Sequence, residues 1–157
     1  MKILLAMDGS GTGAEALRLT CSLFAGKDVV VTILHVIPRH RVRTKRGAML
    51  VECLDLEREQ AAASALLDEA LQTLRAAGVG PCLLTQLDVG DPSSSILSAV
   101  EAGGADMLVL GCRGVSGVQR FLLGSVSTRV VTNARCSVIV VHPAPSDASE
   151  WNDPGRE

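Results

Sequence analysis

The sequence contains few aromatic residues: two Phe, one Trp and no Tyr in 157 residues. Hydrophobic residues nevertheless make up 47% of the chain, so the core must be built from Val, Leu, Ile and Ala. Such residues suit a buried parallel sheet that is covered by helices. The length is sufficient for a full core and is typical of one domain.

Long apolar runs, a strong net charge and paired cysteines are missing as well. No apolar run is long enough to cross a bilayer, and the run over residues 2–7 is interrupted at once by Asp8, which argues against a signal peptide. The net charge of −2 gives no reason to expect nucleic acid or a membrane surface as a partner. The five cysteines are scattered, without a C-x-x-C pair or a histidine at ligand spacing. We therefore predict free thiols in a reducing cytoplasm, with neither disulfides nor a zinc site.

Apolar segments alternate with amphipathic segments, which predicts five strands and four helices. The strands are placed at residues 2–7, 29–37, 82–89, 106–110 and 137–142. Helices are predicted from a cap at Ser10 or Thr12 to Gly26, over 51–77, from a cap at Asp91 to 102, and over 126–134. This order implies an open α/β fold with one parallel sheet, helices on both faces and a ligand site beyond the carboxyl ends of the strands. We assign the domain to residues 1–143 and predict a disordered, Pro-rich tail over 144–157.

The spacing of apolar residues also predicts the buried side of two helices. For the first helix the predicted buried residues are Ala14, Leu17, Leu19, Cys21, Leu23 and Phe24. For the longest helix they are Leu54, Ala61, Ala65, Leu66, Ala70 and Leu74.

One glycine-rich stretch carries the strongest functional signal. Gly111-Cys112-Arg113-Gly114 follows an apolar run, and nine residues later Gly124-Ser125 precedes an amphipathic run. The order strand, glycine loop, helix is typical of a phosphate site, because glycines allow close approach to backbone N–H groups and a helix start offers further donors. Ser125 is predicted to be the N-cap of that helix. The loop is not a Walker A motif, since no Gly-Lys-Ser/Thr follows the spacer.

The spacing G-x2-G-x9-G-[ST] resembles the signature of the ATP-binding branch of the universal stress protein family. The resemblance covers roughly residues 2–142 and includes four further landmarks in family order, at residues 5–10, 34–36, 90–92 and 105–111, together with the closing run 137–141. It implies the strand order 3-2-1-4-5, binding of ATP, ADP or AMP, and a regulatory role in the stress response.

The resemblance also implies which residues contact the nucleotide. Asp8 is expected near the ribose or a bound cation, and Ala6 and Val36 are expected to offer backbone groups, those of Val36 to the adenine. Leu110 and Gly111 are assigned to the ribose side, and the phosphates to Gly114, Gly124, Ser125 and Val126. A divalent cation, Mg²⁺ or Mn²⁺, would be held mainly by phosphate oxygens, since Mg²⁺ usually keeps few protein ligands.

Three other functions were weighed against this interpretation. Gly9-x-Gly11-x-x-Ala14 fits a dinucleotide fingerprint, but Asp8 immediately before it would face an incoming pyrophosphate and the end of strand two lacks the acidic residue for an NAD ribose. A slow, metal-dependent ATP hydrolase is the second alternative, and a nucleotide-independent dimeric interaction module is the third. A fast enzyme is not expected, because no Ser-His-Asp set or spaced carboxylate pair is found.

Four further features concern partners and reactivity. Residues Ser137 to Val141 form an uncharged, β-branched run that would be an edge strand, and we predict a homodimer through it. The basic segment 39–46 is interpreted as a solvated loop, with contact to an anionic protein partner or to the triphosphate of the nucleotide as the alternatives. Cys112 is expected to be a small buried residue, with an oxidant-sensing thiol as the alternative. His35 is expected to pack in the core.

Overall fold

The structure, a computed structural model, describes residues 1–38, 49–112 and 123–143. The predictions for the basic segment 39–46, for Gly114 and for the tail 144–157 lie outside the described residues.

Strands and helices alternate along the described chain in the predicted order. The strands are β1 (Lys2–Met7), β2 (Val30–Pro38), β3 (Cys82–Gly90), β4 (Met107–Gly111) and β5 (Ser137–Val141). The helices are α1 (Gly11–Phe24), α2 (Met49–Ala76), α3 (Pro92–Gly103) and α4 (Ser125–Asn133). All strand pairs are parallel and the sheet order is β3-β2-β1-β4-β5, which confirms the predicted fold class and strand order.

Strand β1 lies at the centre of the sheet, and its side chains alternate between two apolar layers. One layer holds Ile3, Leu5 and Met7 together with residues of α1 and α2. The other holds Leu4 and Ala6 together with residues of α3 and α4. Because both faces of β1 are covered, its near-continuous apolar sequence follows directly from its position.

The buried sides of α1 and α2 differ in part from the prediction. The structure confirms Leu17 and Phe24 in α1 and Ala70 and Leu74 in α2, and among the side chains that it describes the other buried positions in these helices are Gly13, Ala16, Thr20, Ala63 and Leu67. The predicted Cys21 and Leu66 are partly buried against the same core, and the side chain of Leu54 lies outside the described residues. Ala14, Leu23, Ala61 and Ala65 are exposed. Alanines occupy several sides of both helices, so alanine spacing does not fix which side faces the sheet.

Two of the predicted caps fix the starts of helices at the carboxyl edge of the sheet. The Ser10 hydroxyl accepts the Gly13 N–H at 3.1 Å, and the Asp91 carboxylate accepts the Ser94 N–H at 2.9 Å. Each bond satisfies a backbone donor that has no partner within its own helix. Within the described chain, no helix combines the length and the hydrophobicity that crossing a membrane requires.

Candidate functional site

A cavity of about 850 Å³ opens at the carboxyl ends of the strands, where the strand order reverses between β1 and β4. Crevices at this point are the usual ligand sites of open parallel sheets. Residues of β1, β2, β4, α2, α3 and α4 contribute to its lining: Ala6, Met7, Asp8, Gly9, Leu34, His35, Val36, Ile37, Pro38, Glu59, Ala62, Ala63, Leu66, Pro92, Ile96, Leu110, Gly111, Val126 and Ser127.

The turn after β1 places Asp8 at the mouth of this cavity. Gly9 has a φ of 75°, a conformation that glycine adopts without steric cost. Asp8 Oδ1 accepts the N–H of Ser10 at 3.0 Å, which closes the turn. Ser10 caps α1, and Asp8 does not. The Asp8 carboxylate instead stabilises the turn after β1 and is exposed where it lines the cavity.

Strand β2 extends past the end of β1 and so exposes part of its backbone to the cavity. The register of the two strands ends at Met7 opposite His35, whereas β2 continues to Pro38 opposite Gly90 of β3. The Val30 N–H donates to the Met1 carbonyl at 3.0 Å. Since successive amides of a strand alternate in direction, the even-numbered amides of β2 point toward β1. The carbonyl of Val36 therefore points past the end of β1, into the cavity.

His35 joins the ends of these two strands. Its Nδ1 lies 2.8 Å from the Met7 carbonyl, so Nδ1 carries the proton and donates it. The ring is half-buried and lines the cavity. His35 is therefore packed in part, as predicted, and it also donates a hydrogen bond that fixes Met7, the residue before Asp8.

Gly111 lies where β4 approaches the first turn of α1 most closely. A Cβ at this position would come within 2.8 Å of the Thr12 carbonyl carbon and of the Thr12 Cβ, and nearer still to the Thr12 hydroxyl oxygen. Gly111 does not have a positive φ, so close approach and not backbone conformation explains the glycine. Any larger residue would push β4 and α1 apart at the floor of the cavity.

The start of α4 differs from the prediction at one residue. The N-cap is Gly124, with extended φ and ψ of −63° and 161°, and Ser125 is the first helical residue. Gly124 has no side chain to cap the helix, and its own N–H donates to the Cys112 carbonyl at 2.8 Å. The next N–H groups, those of Ser125 and Val126, have no carbonyl within their helix to bind. The predicted capping by Ser125 is therefore wrong, and α4 starts without a side-chain cap.

Ser127 is a residue that the sequence analysis did not identify. It is 3% exposed, and its hydroxyl lies 2.9 Å from the Gly111 carbonyl and 3.0 Å from the Cys112 carbonyl. Cys112 itself is 1% exposed, as expected for a small buried residue. The two ends of the glycine-rich stretch are thus joined beneath the cavity.

Comparisons with known proteins identify the family. A sequence model of the universal stress protein family matches residues 1–142. The chain belongs to the universal stress protein family. It is similar to the universal stress protein YxiE of Bacillus subtilis, with 32% identity in an alignment of 156 residues that covers 89% of this chain and 97% of the relative. The solved structure of the hypothetical protein MJ0577 is also similar, with a TM-score of 0.83 and 26% identity, and covers 92% of this chain and 97% of that one.

Two solved structures with the same fold contain adenine nucleotides. A universal stress protein of Arabidopsis thaliana has AMP bound, with a TM-score of 0.67, 22% identity, and coverage of 94% of this chain and 97% of that one. The protein of Archaeoglobus fulgidus is in complex with dAMP, with a TM-score of 0.65, 23% identity, and coverage of 90% and 97%.

Six of the nine site residues that the family resemblance implied line the cavity: Ala6, Asp8, Val36, Leu110, Gly111 and Val126. Gly124 and Ser125 lie directly before Val126 but do not belong to the lining, and Gly114 is outside the described residues. The α2 residues Glu59, Ala62, Ala63 and Leu66 were missed. Their spacing of three and four places them on one helix face, but sequence alone does not show that this face borders the cavity.

Charged groups at the end of β3, at the start of α3 and on α4 are held by short polar contacts. The Ser94 hydroxyl and N–H lower the pKa of Asp91, and the Ser95 hydroxyl lowers the pKa of Asp88. Arg129 of α4 reaches Asp91 Oδ1 at 3.2 Å and so connects α4 to the start of α3. Among the side chains that the structure describes, no group of three or more His, Cys, Asp or Glu could hold a metal ion.

Proposed function

We propose that this universal stress protein binds an adenine nucleotide, ATP, ADP or AMP, in the cavity between β1 and β4, and acts as a nucleotide-dependent regulator. The observation that carries the proposal is the position of the cavity. It lies where the strand order reverses, with a carbonyl of β2 beyond the end of β1 on one side and a helix start without a side-chain cap on the other.

The side formed by β2 suits the base. The Val36 carbonyl offers an acceptor for an exocyclic amine, and the apolar side chains of Leu34 and Ile96 line the same cavity. An adenine ring has an amine that donates and flat faces that bury well against such side chains. This side would therefore hold adenine through one backbone contact and apolar packing.

The side formed by α4 suits the phosphates. The N–H groups of Ser125 and Val126 and the positive end of the helix dipole favour an anion. Asp8 is proposed to contact the ribose, between these two sides, because a carboxylate accepts hydroxyl hydrogen bonds and repels phosphate. Leu110 and Gly111 complete the ribose side, and Gly114 is proposed to contribute a further phosphate contact.

The nucleotide complexes of the Arabidopsis and Archaeoglobus proteins support an adenine nucleotide as the ligand. Both ligands are monophosphates. The preference of this protein for ATP is therefore a separate part of the proposal. A divalent cation, Mg²⁺ or Mn²⁺, would be held through phosphate oxygens.

A binding role is proposed instead of fast catalysis because the sequence offers no Ser-His-Asp set and no spaced carboxylate pair. Asp8 Oδ1 is occupied by the Ser10 N–H, and His35 Nδ1 by the Met7 carbonyl. Both groups therefore already stabilise the end of β1. Phosphate release should be slow; turnover in the range of ordinary enzymes, about 1–1000 per second, would favour the hydrolase alternative.

Isothermal titration calorimetry with ATP, ADP, AMP and NADH tests the proposal. We expect the adenine mononucleotide series to bind more tightly than NADH, and Gly124→Val to weaken ATP binding by at least tenfold. A valine at the N-cap would crowd the phosphates where glycine leaves space. Gly103→Val is the control, since a side chain there meets no atom within 4 Å. Equal ATP affinity for wild type and Gly124→Val would contradict the site.

A homodimer through β5 is a second part of the proposal. Strand β5 pairs only with β4 in the sheet order, so its outer edge offers backbone donors and acceptors. Its residues Val138 to Val141 are half-buried in the single chain and carry no charge. Natural proteins cover or pair such an edge, and a second copy about a two-fold axis would do so.

A further inference from the structure

Ser127 uses its hydroxyl differently from three threonines in the described helices. Thr20, Thr73 and Thr132 each donate to the carbonyl four residues earlier in their own helix, at 2.8 to 2.9 Å. Ser127 instead donates to the Gly111 and Cys112 carbonyls at the end of β4. Its single proton is shared between two acceptors that belong to another element.

The carbonyls that Ser127 reaches stand at the other end of the glycine-rich stretch. The Cys112 carbonyl also accepts the Gly124 N–H at 2.8 Å, and the Cys112 N–H donates to the Val141 carbonyl at 2.8 Å. The residues on either side of positions 113–123 are therefore tied to each other and to β5. These contacts set where the first turn of α4 starts and how its axis is directed.

Ser127 is the third residue of α4 and directly follows Ser125 and Val126, whose N–H groups have no carbonyl within the helix to bind. Ser125 and Val126 lie between the Gly124 bond to Cys112 and the Ser127 bonds to Gly111 and Cys112. A helix turn held at both of these points cannot rotate without breaking one of them. The first turn of α4, with the N–H groups of Ser125 and Val126, is thereby held beside the cavity that Val126 and Ser127 line.

We propose that Ser127 is a positioning residue for the phosphate side of the nucleotide site. Its hydroxyl fixes α4 against β4, so that the first N–H groups of the helix meet the phosphate oxygens without prior rearrangement. The inference rests on the proposed function and adds a residue to it. Pre-organised donors bind an anion more tightly because no ordering cost is left for the binding step.

The test compares two ligands that differ only in phosphate. ATP and adenosine are titrated into wild type, Ser127→Ala and Thr20→Val by calorimetry. Thr20→Val is the matched control: it removes a buried hydroxyl that donates to a carbonyl, at a site 0% exposed and remote from the cavity. Both variants should lose similar stability, which thermal denaturation measures.

The expected results separate positioning from general stability. Ser127→Ala should bind ATP about tenfold more weakly, equal to about 1.4 kcal/mol, and adenosine within about twofold of wild type. Thr20→Val should bind both ligands like wild type. Ser127→Cys, which keeps the side-chain volume and a weak donor, should give a smaller loss for ATP and serves as the test if Ser127→Ala does not fold.

Two outcomes would overturn the inference and are distinguishable. If wild type binds ATP but Ser127→Ala and Ser127→Cys bind it equally well, or lose ATP and adenosine affinity in equal proportion, Ser127 has no role specific to phosphate. If wild type binds neither ligand, the proposed function itself fails and the inference fails with it.

Discussion

Replacing Gly111 by alanine tests the close approach of β4 and α1 on which the cavity depends. The added Cβ would lie 2.8 Å from the Thr12 carbonyl carbon and Cβ, and nearer to the Thr12 hydroxyl oxygen. Carbon atoms in contact normally stand about 3.5–4.0 Å apart, so the strand and the helix must separate by much of an ångström. Two of the crowded atoms cannot be relieved by rotating a side chain, so we expect a loss of stability of about 1–3 kcal/mol.

Thermal denaturation followed by circular dichroism measures this loss. For a domain of this length about 1 kcal/mol corresponds to about 2–4 °C, so Gly111→Ala should lower the Tm by about 2–12 °C. Gly11→Ala is the matched control: Gly11 is the first residue of α1, close to Thr12 in sequence, yet a Cβ there meets no atom within 4 Å. Its Tm should stay the same or rise slightly, because alanine favours helix over glycine. A Gly111→Ala protein as stable as Gly11→Ala would refute the close approach.

Three other predictions concern a helix cap, a titrating carboxylate and the sheet edge. Ser10→Ala removes the acceptor of the Gly13 N–H and should lower the free energy of unfolding in urea by about 1 kcal/mol; no change would show that α1 starts without this cap. Because the pKa of Asp91 is lowered in the folded state, its ionised carboxylate stabilises the fold above the unfolded pKa of about 3.9. The difference in free energy of unfolding between wild type and Asp91→Ala should therefore be largest at about pH 7 and should shrink as the pH falls below about 4. A difference in free energy of unfolding that does not change with pH would contradict the contact between the Asp91 carboxylate and Ser94. Ile139→Lys should convert a dimer to a monomer in sedimentation at micromolar concentration, and a monomeric wild type would refute pairing through β5.

The fold could be predicted largely from local sequence signals. Residues 3–7 form an uninterrupted apolar run that is typical of a strand buried on both faces, and the strand Lys2–Met7 begins and ends where predicted. Asp91-Pro92 marks a helix start by its chemistry, since Asp caps and Pro fits the first turn. The order of the strands came from the family resemblance, because alternation alone is compatible with several orders.

The predictions failed where a residue's role depends on a distant element. The buried face of α2 was assigned partly to the wrong alanines, because which side meets the sheet is decided by packing of Ala63 and Leu67 and not by composition. Ser127 carries no sequence signal of its own: its acceptors, the carbonyls of Gly111 and Cys112, come close only when β4 and α4 are in place. The residue type of Ser125 predicts a cap, whereas the N-cap is Gly124 and Ser125 is the first helical residue.

At the Gly124 cap, a substitution that stabilises the fold should weaken nucleotide binding. α1 and α3 start at the same edge of the sheet with side-chain caps, Ser10 and Asp91, whereas Gly124 leaves the first N–H groups of α4 for a ligand. The φ of −63° at Gly124 suits any residue, so Gly124→Asp can be accommodated by the backbone. An aspartate there would accept one of these N–H groups and raise stability by a few tenths of a kcal/mol, while its charge repels phosphate. We expect a Tm equal to or above wild type together with ATP binding weakened by at least tenfold, and adenosine binding nearly unchanged. If Gly124→Asp binds ATP as wild type does while remaining folded, the start of α4 is not where the phosphates lie.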